Sequence, residues 1–315
     1  MPAACPHHKS ATLLVLSAAG HYNFNSAILM DTLSKLPMTY TRLLPTVVRT
    51  AAGLAAAMLF AGHTQAATLC TAMVDAQSGS VLLEEGNCVD RVTPASTFKI
   101  AISLMGYDAG FLKDEHTPSL PFREGYVDWG GALWRQDTDP SRWMQYSVVW
   151  YSQQVAHALG QEKFQKYAKA FSYGNADVSG DPGKNNSLER SWISSSLKIS
   201  PLEQLGFLRK LVIGHLPVSK QAIEMTSKLT RLDDLPGGWQ LHGKTGAAFP
   251  RKADGSFDEA HGYGWFVGWA TKGERTIVFA RLVQDEQKGQ QSAGLRTRDA
   301  MLKELPAMLE KAQQQ

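Results

Sequence analysis

The sequence predicts an α+β fold: one antiparallel sheet built from both ends of the chain and covered by helices, with a helical region inserted between its strands. Three observations predict it. An early segment, CTAMVDAQSGSVLLEEGNC, has two apolar stretches around a Gly/Ser/Asp turn, the pattern of a β-hairpin. The last third carries WQLHGK, GYGWFVGWA and RTIVFARLV, successive runs rich in aromatic and β-branched residues and separated by turns. The middle third reads as helix, in SVVWYSQQVAHAL near 147–159 and EKFQKYAKAF near 162–171.

The first element is a leader. From Met38 the chain has Arg42 and Arg49 with no acid, then the apolar run AAGLAAAMLFA, then small residues at Ala66 and Ala67. A basic segment, a short apolar segment and a small-residue cleavage site make a signal peptide over 38–66. A membrane span needs about 20 apolar residues, more than this run supplies. Residues 1–37 then read as an upstream extension from an early start codon; the competing reading takes Lys9 and the apolar run 11–19 as a first signal. The expected mature chain, 67–315, is periplasmic and has no membrane anchor. With the leader go Lys9, Lys35, Arg42 and Arg49 against Asp31, which together account for the whole formal charge of +3. The neutral remainder lacks the basic footprint of a nucleic-acid-binding protein. At 43% hydrophobic and 19% charged residues, the composition also excludes disorder as the main state.

Cys5 leaves with the leader, and Cys70 and Cys88 lie equidistant from Gly79 in the predicted hairpin. Antiparallel pairing brings them near opposite positions, where an oxidising compartment allows a disulfide; two unpaired thiols out of register are the other reading. Thr93 and Pro94 then read as the N-cap and first residue of a helix. Residues 172–191, SYGNADVSGDPGKNNSLERS, have no periodicity, as a functional loop would not. Ser200 and Glu203 form a capping box that opens PLEQLGFLRKLVIG. A last helix runs from about Leu295 to Lys311. The sheet part is therefore expected over about 67–104 and 230–315, and the helical part over about 105–229. No long amphipathic repeat assigns an oligomeric state.

Ser96 and Lys99 form S-x-x-K at the start of the Pro94 helix, where side chains at i and i+3 share a face. A serine hydroxyl needs a base to become a nucleophile, and a lysine serves once desolvation lowers its pKa. The pattern is weak alone, since Ser195 and Lys198 match it too. Lys244, Thr245 and Gly246 form K-T-G at a strand end, offering a cation, a hydroxyl and room for close approach of an anion. S-x-x-K followed by K-T-G is a pairing found in serine β-lactamases and penicillin-binding proteins.

PASTFK, Ser147-Val148-Val149 as S-x-V, Tyr173-Gly174-Asn175 as Y-G-N, Trp192 before LKIS, K-T-G and WFVGW follow one another in order. This set resembles the class D serine β-lactamases, the oxacillinases, and spans Pro94 to Arg296. The resemblance implies a five-stranded antiparallel sheet flanked by helices, a helical subdomain and a cleft between them. It implies hydrolysis of β-lactams, penicillins and oxacillin-type compounds, through an acyl-enzyme on Ser96. Lys99 would be N-carboxylated by CO2 and act as general base, with no metal or other cofactor. Phe98, Val148, Trp192 and Ile193 would supply the apolar pocket that keeps the lysine amine neutral, and the Trp192 indole N–H would donate to the carbamate. Ser147 would pass a proton to the leaving nitrogen, assisted by Lys244. Thr245, beside Gly246, and Arg296 would bind the substrate carboxylate, with Arg298 as competitor because RKADGSFDEAH lengthens the stretch between K-T-G and these arginines. Backbone N–H groups of Ser96 and Ala247 would form the oxyanion hole. Tyr173 and Asn175 would shape the loop that carries Trp192.

The sequence has no H-E-x-x-H or H-x-H pattern, which argues against a zinc-dependent lactamase. Two other classes share S-x-x-K and K-T-G. A β-lactam sensor is acylated without turnover and would carry transmembrane helices and a signalling domain, which the sequence does not show. A penicillin-binding transpeptidase usually has S-x-N where this chain has S-x-V.

Overall fold

The computed structural model describes residues 66–314. The expected upstream extension, the signal peptide up to residue 65 and Cys5 lie outside them.

The sheet is five-stranded and antiparallel throughout, in the order β2-β1-β5-β4-β3. Its strands are β1 (Ala67–Asp75), β2 (Val81–Gly86), β3 (Gln240–Ala248), β4 (Tyr263–Lys272) and β5 (Arg275–Gln284). Both ends of the chain build it, as expected. The runs in β4 and β5 are almost continuously apolar because the sheet is covered on both sides. On one face Met73, Phe266, Ile277 and Phe279 pack against Met301, Leu305 and Leu309 of α7 (Ala293–Gln313). On the other, Trp265, Val267, Val278 and Leu282 join the main core. The terminal helix is longer than expected at both ends.

The first hairpin turns about one residue before Gly79 and shifts register between Met73 and Val74, and in this pairing Cys70 faces Gly86 rather than Cys88. Cys88 lies two residues beyond β2 and folds back, and the two cysteines are bonded.

The helical part comprises α2 (Pro140–Tyr146), α3 (Val149–Ala170) and α6 (Lys220–Leu229), with the short α4 (Ser187–Arg190) in the 172–191 loop. The two helical stretches read near 147–159 and 162–171 are halves of α3, parted by non-helical backbone at Gly160. The Ser200–Glu203 capping box opens α5 (Pro201–Val212), with both reciprocal hydrogen bonds made. Although α5 falls inside 105–229, it packs on β1 and β5 and so belongs to the cover of the sheet. Between the two parts lies α1 (Lys99–Asp108), buried from Lys99 to Tyr107 and in contact with α3 and α6. Among the described residues no helix is long and apolar enough to cross a membrane.

Candidate active site

The helix that carries the S-x-x-K pattern starts differently from the sequence reading. A 3-10 turn, Ala95–Phe98, precedes α1, and the Thr93 side chain does not cap it. Thr93 Oγ1 instead donates to the Trp192 carbonyl (3.0 Å) and accepts from the Ser194 amide (2.9 Å). Thr93 therefore pins the Trp192 loop to the segment before Ser96. Its carbonyl accepts the indole N–H of the fully buried Trp265 on β4 (2.9 Å). Removing such a side chain costs about 3–5 kcal/mol, and here it would also unseat the turn. Ala95, just before Ser96, has φ 51°, a left-handed conformation that a non-glycine residue keeps only where its surroundings enforce it.

Ser96 Oγ lies 3.2 Å from Lys99 Nζ. Lys99 is fully buried, and its pKa lies well below the usual lysine value, first because burial penalises the charged form and second because Lys244 is nearby and positive. A neutral amine beside a serine hydroxyl is a competent proton acceptor. Phe98, next to Lys99 in the chain, packs on Trp192 and Phe164, with ring centroids 6.0 and 5.8 Å away. Val148 and Trp192 are fully buried and Ile193 is partly so. The Trp192 Nε1 is buried without a hydrogen-bond partner.

Ser147 stands just before α3, as expected, and is at the same time the C-cap of α2, in left-handed conformation (φ 57°, ψ 36°). Its Oγ accepts from Lys244 Nζ at 3.1 Å. Burial, then the positive charge of Arg298, lowers the Lys244 pKa to about 7. Lys244 and Thr245 belong to β3, the edge strand, and Gly246 brings that strand against the Ser96 turn. A Cβ at Gly246 would stand 2.8 Å from the Pro94 carbonyl oxygen. On the other side, a Cβ at Gly294 in α7 would stand 2.5 Å from the Gly246 carbonyl oxygen. The K-T-G glycine is thus enclosed between the Ser96 turn and the start of α7, and Ala247 follows it as an exposed residue.

The penicillin binding protein transpeptidase domain family matches residues 69–307 of this chain. The chain is 41% identical to the β-lactamase OXA-9 of Klebsiella pneumoniae over 240 residues, covering 76% of this chain and 88% of that protein. The chain belongs to the class D serine β-lactamases. It is also 40% identical to OXA-1 of Escherichia coli over 202 residues, covering 64% of this chain and 70% of that protein. The crystal structure of the class D β-lactamase OXA-427 superposes with a TM-score of 0.73 at 48% identity, over 77% of this chain and 99% of that one.

The two candidate arginines of the sequence reading face different ways. Arg296 and Arg298 are two residues apart on α7 and so project about 200° from each other. Arg296 turns towards β5, where it pairs with Asp285 and donates to the Gln291 carbonyl. Arg298 turns towards β3 and lines a cavity of about 520 Å³ with Ser141, Met144, Lys244 and Thr245. The arginine beside the K-T-G strand is therefore Arg298, the competitor, while Arg296 pairs with Asp285. Tyr173 and Asn175 hold the loop as expected: Tyr173 is fully buried against Phe98, and the Asn175 side chain bonds the Ser196 carbonyl and the Lys198 amide. Ser195 and Lys198, the competing S-x-x-K match, line a larger cavity of about 720 Å³ behind this loop, without Ser96 or Lys99.

The sequence reading missed Arg251. Its guanidinium donates to the Ser194 carbonyl (2.8 Å) and to Asp181 (3.0 Å), linking the lengthened β3–β4 connection to the Trp192 loop. The only signal was the extra length itself.

Proposed function

We propose that this class D protein opens the β-lactam ring through an acyl-enzyme on Ser96 and releases it by hydrolysis. The observation that carries the reading is the fully buried Lys99 amine 3.2 Å from the Ser96 hydroxyl. As Ser96 Oγ attacks the lactam carbonyl, its proton passes to Lys99; the amide N–H groups of Ser96 and Ala247 receive the oxyanion. The C–N bond breaks and the lactam nitrogen takes a proton from Ser147 Oγ, which Lys244 Nζ replaces across their 3.1 Å hydrogen bond. Thr245 and Arg298 bind the substrate carboxylate. A water then attacks the ester, its proton passing by way of Lys99 to Ser96 Oγ as the ester bond breaks. The proton that Lys99 took during acylation returns to Lys244, so that both lysines and Ser96 are restored.

The residues around Lys99 fit a CO2-derived carbamate. Burial favours the neutral amine that reacts with CO2, and Trp192 Nε1 is a buried donor with no partner that would hold the new anion. Carboxylation would give Lys99 an anionic oxygen as general base for both acylation and deacylation. The signal-like segment 38–66 supports export to the periplasm.

Mass spectrometry with a penicillin tests the reading. A transient adduct on Ser96 with accumulating hydrolysed product is expected; a permanent adduct without turnover would instead identify a sensor or transpeptidase. N-terminal sequencing of the secreted protein should begin near Ala67.

A further inference from the structure

Two segments of the chain are laced together beside the reactive pair. One is 92–95, directly before Ser96, and the other is 192–199. Val92 and Ile199 exchange backbone hydrogen bonds of 3.1 and 2.9 Å, and the Ala95 amide donates to the Trp192 carbonyl at 3.0 Å. Between these contacts the lacing is done by a side chain. Thr93 Oγ1 donates to the Trp192 carbonyl and accepts from the Ser194 amide, so one hydroxyl holds the chain on both sides of Ile193. The indole of Trp265 fixes the Thr93 carbonyl in turn.

The hydroxyl keeps a conformation that the chain would not keep alone. Ser194 has φ 53°, left-handed like Ala95 on the facing segment, and a non-glycine residue persists there only where its surroundings enforce it. Thr93 and Ser194 are both buried. Without the hydroxyl, the Ser194 amide would therefore lose its acceptor with no water to replace it, and the backbone two residues from Trp192 would relax.

Trp192 is the residue this tether serves. Its ring is fully buried, with the Phe98 and Phe164 ring centres 6.0 and 5.9 Å away, and its Nε1 has no partner. Hydrogen bonds weaken steeply with misalignment, so a loop freed at Ser194 loosens whatever that N–H holds. We propose that Thr93 is a positioning residue for the Lys99 base: by tethering the Trp192 loop, its hydroxyl sets how tightly Lys99 retains CO2. The inference rests on the carbamate reading above and names the residue that tunes it. In carboxylation the lone pair of the Lys99 nitrogen bonds to the carbon of CO2, one C–O π bond opens to give the anionic oxygen, and a proton leaves the nitrogen for solvent. Loss of the carbamate is the reverse.

The test reads the carbamate directly. Parent, Thr93→Val, Thr93→Ala and Thr93→Ser are equilibrated with carbon-labelled bicarbonate at a series of concentrations, and the NMR signal of the carbamate carbon, identified by its absence from Lys99→Ala, is integrated. Thr93→Val, which keeps the shape, and Thr93→Ala, which cannot clash, should need about three- to tenfold more bicarbonate for half-occupancy. Thr93→Ser keeps the hydroxyl and should stay within about twofold of the parent. In a Trp192→Phe background, Thr93→Val should raise the demand by less than about twofold, because the donor that the tether positions is already gone. An equal factor in both backgrounds would mark a general structural defect and overturn the proposal. So would parental occupancy in Thr93→Val and Thr93→Ala, with the carbamate reading left intact. A parent with no carbamate signal at saturating bicarbonate would overturn that reading, and this one with it.

Discussion

The Lys99 amine sits 3.2 Å from the Ser96 hydroxyl and has no exposed surface. The distance follows from one turn of backbone, 3-10 turn into α1, and Phe98, next to Lys99 in the chain, packs with Phe164 and Trp192 into one aromatic wall. A lysine on a solvated helix face at the same spacing would stay protonated and be no base at all. The reactive pair is thus made by local geometry and by tertiary packing together.

Trp192→Phe separates the two roles of that wall. The substitution keeps an aromatic ring in a fully buried site and removes its buried, unpartnered indole N–H. A hydrogen bond to a charged group is worth about 1.5–3 kcal/mol, so the variant should need about ten or more times as much bicarbonate for half-maximal activity. Titration of activity with bicarbonate, after CO2 depletion, measures it.

Lys244 should impose an alkaline limb on kcat/KM near pH 7. Its amine is charged below its folded pKa of about 7 and neutral above it, so assistance to Ser147 and the field on the substrate carboxylate weaken as pH rises. Lys244→Arg should move the limb upward or remove it. Stability runs the other way. Between about 7 and 10.5 the unfolded chain holds a proton at Lys244 that the folded chain has lost, so unfolding free energy rises with pH across that window. Denaturant unfolding at several pH values should show the rise in the parent and a smaller one in Lys244→Met.

The two arginines of α7 should separate cleanly. Arg298→Ala should raise KM for penicillins about ten- to a hundredfold through loss of a charged contact. Arg296→Ala should leave KM within about twofold and lower stability by about 1–3 kcal/mol, because it strands the nearly buried Asp285 carboxylate. Steady-state kinetics and denaturant melts on both variants distinguish them.

The Ser96–Lys99 pair and the K-T-G strand were legible because each is a short-range pattern read along a single element. The three late strands were legible too, since burial on both faces leaves their apolar runs uninterrupted. What the sequence did not reveal depends on phase and distance. Arg296 and Arg298 differ by two positions, and only the packing of Thr297 and Met301 against the sheet fixes which one faces β3. Thr93 looked like a cap because its chain position fits one; its hydroxyl was claimed by Trp192 and Ser194, about a hundred residues away.

The disulfide should carry measurable stability. Cys70 and Cys88 enclose a loop with a sequence separation of 18, and closing such a loop stabilises by about 2–4 kcal/mol. Cys70→Ala/Cys88→Ala should lower the unfolding free energy by that amount with little change in kcat, and thiol titration of the unreduced parent should find neither cysteine free.

The most direct test of the account is the turnover of a penicillin by Lys99→Ala beside the parent, at saturating bicarbonate. The account predicts that the parent clears its Ser96 adduct repeatedly while the variant loses turnover by about a hundredfold or more, with or without bicarbonate. Hydrolysis by Lys99→Ala at the parental rate would contradict it.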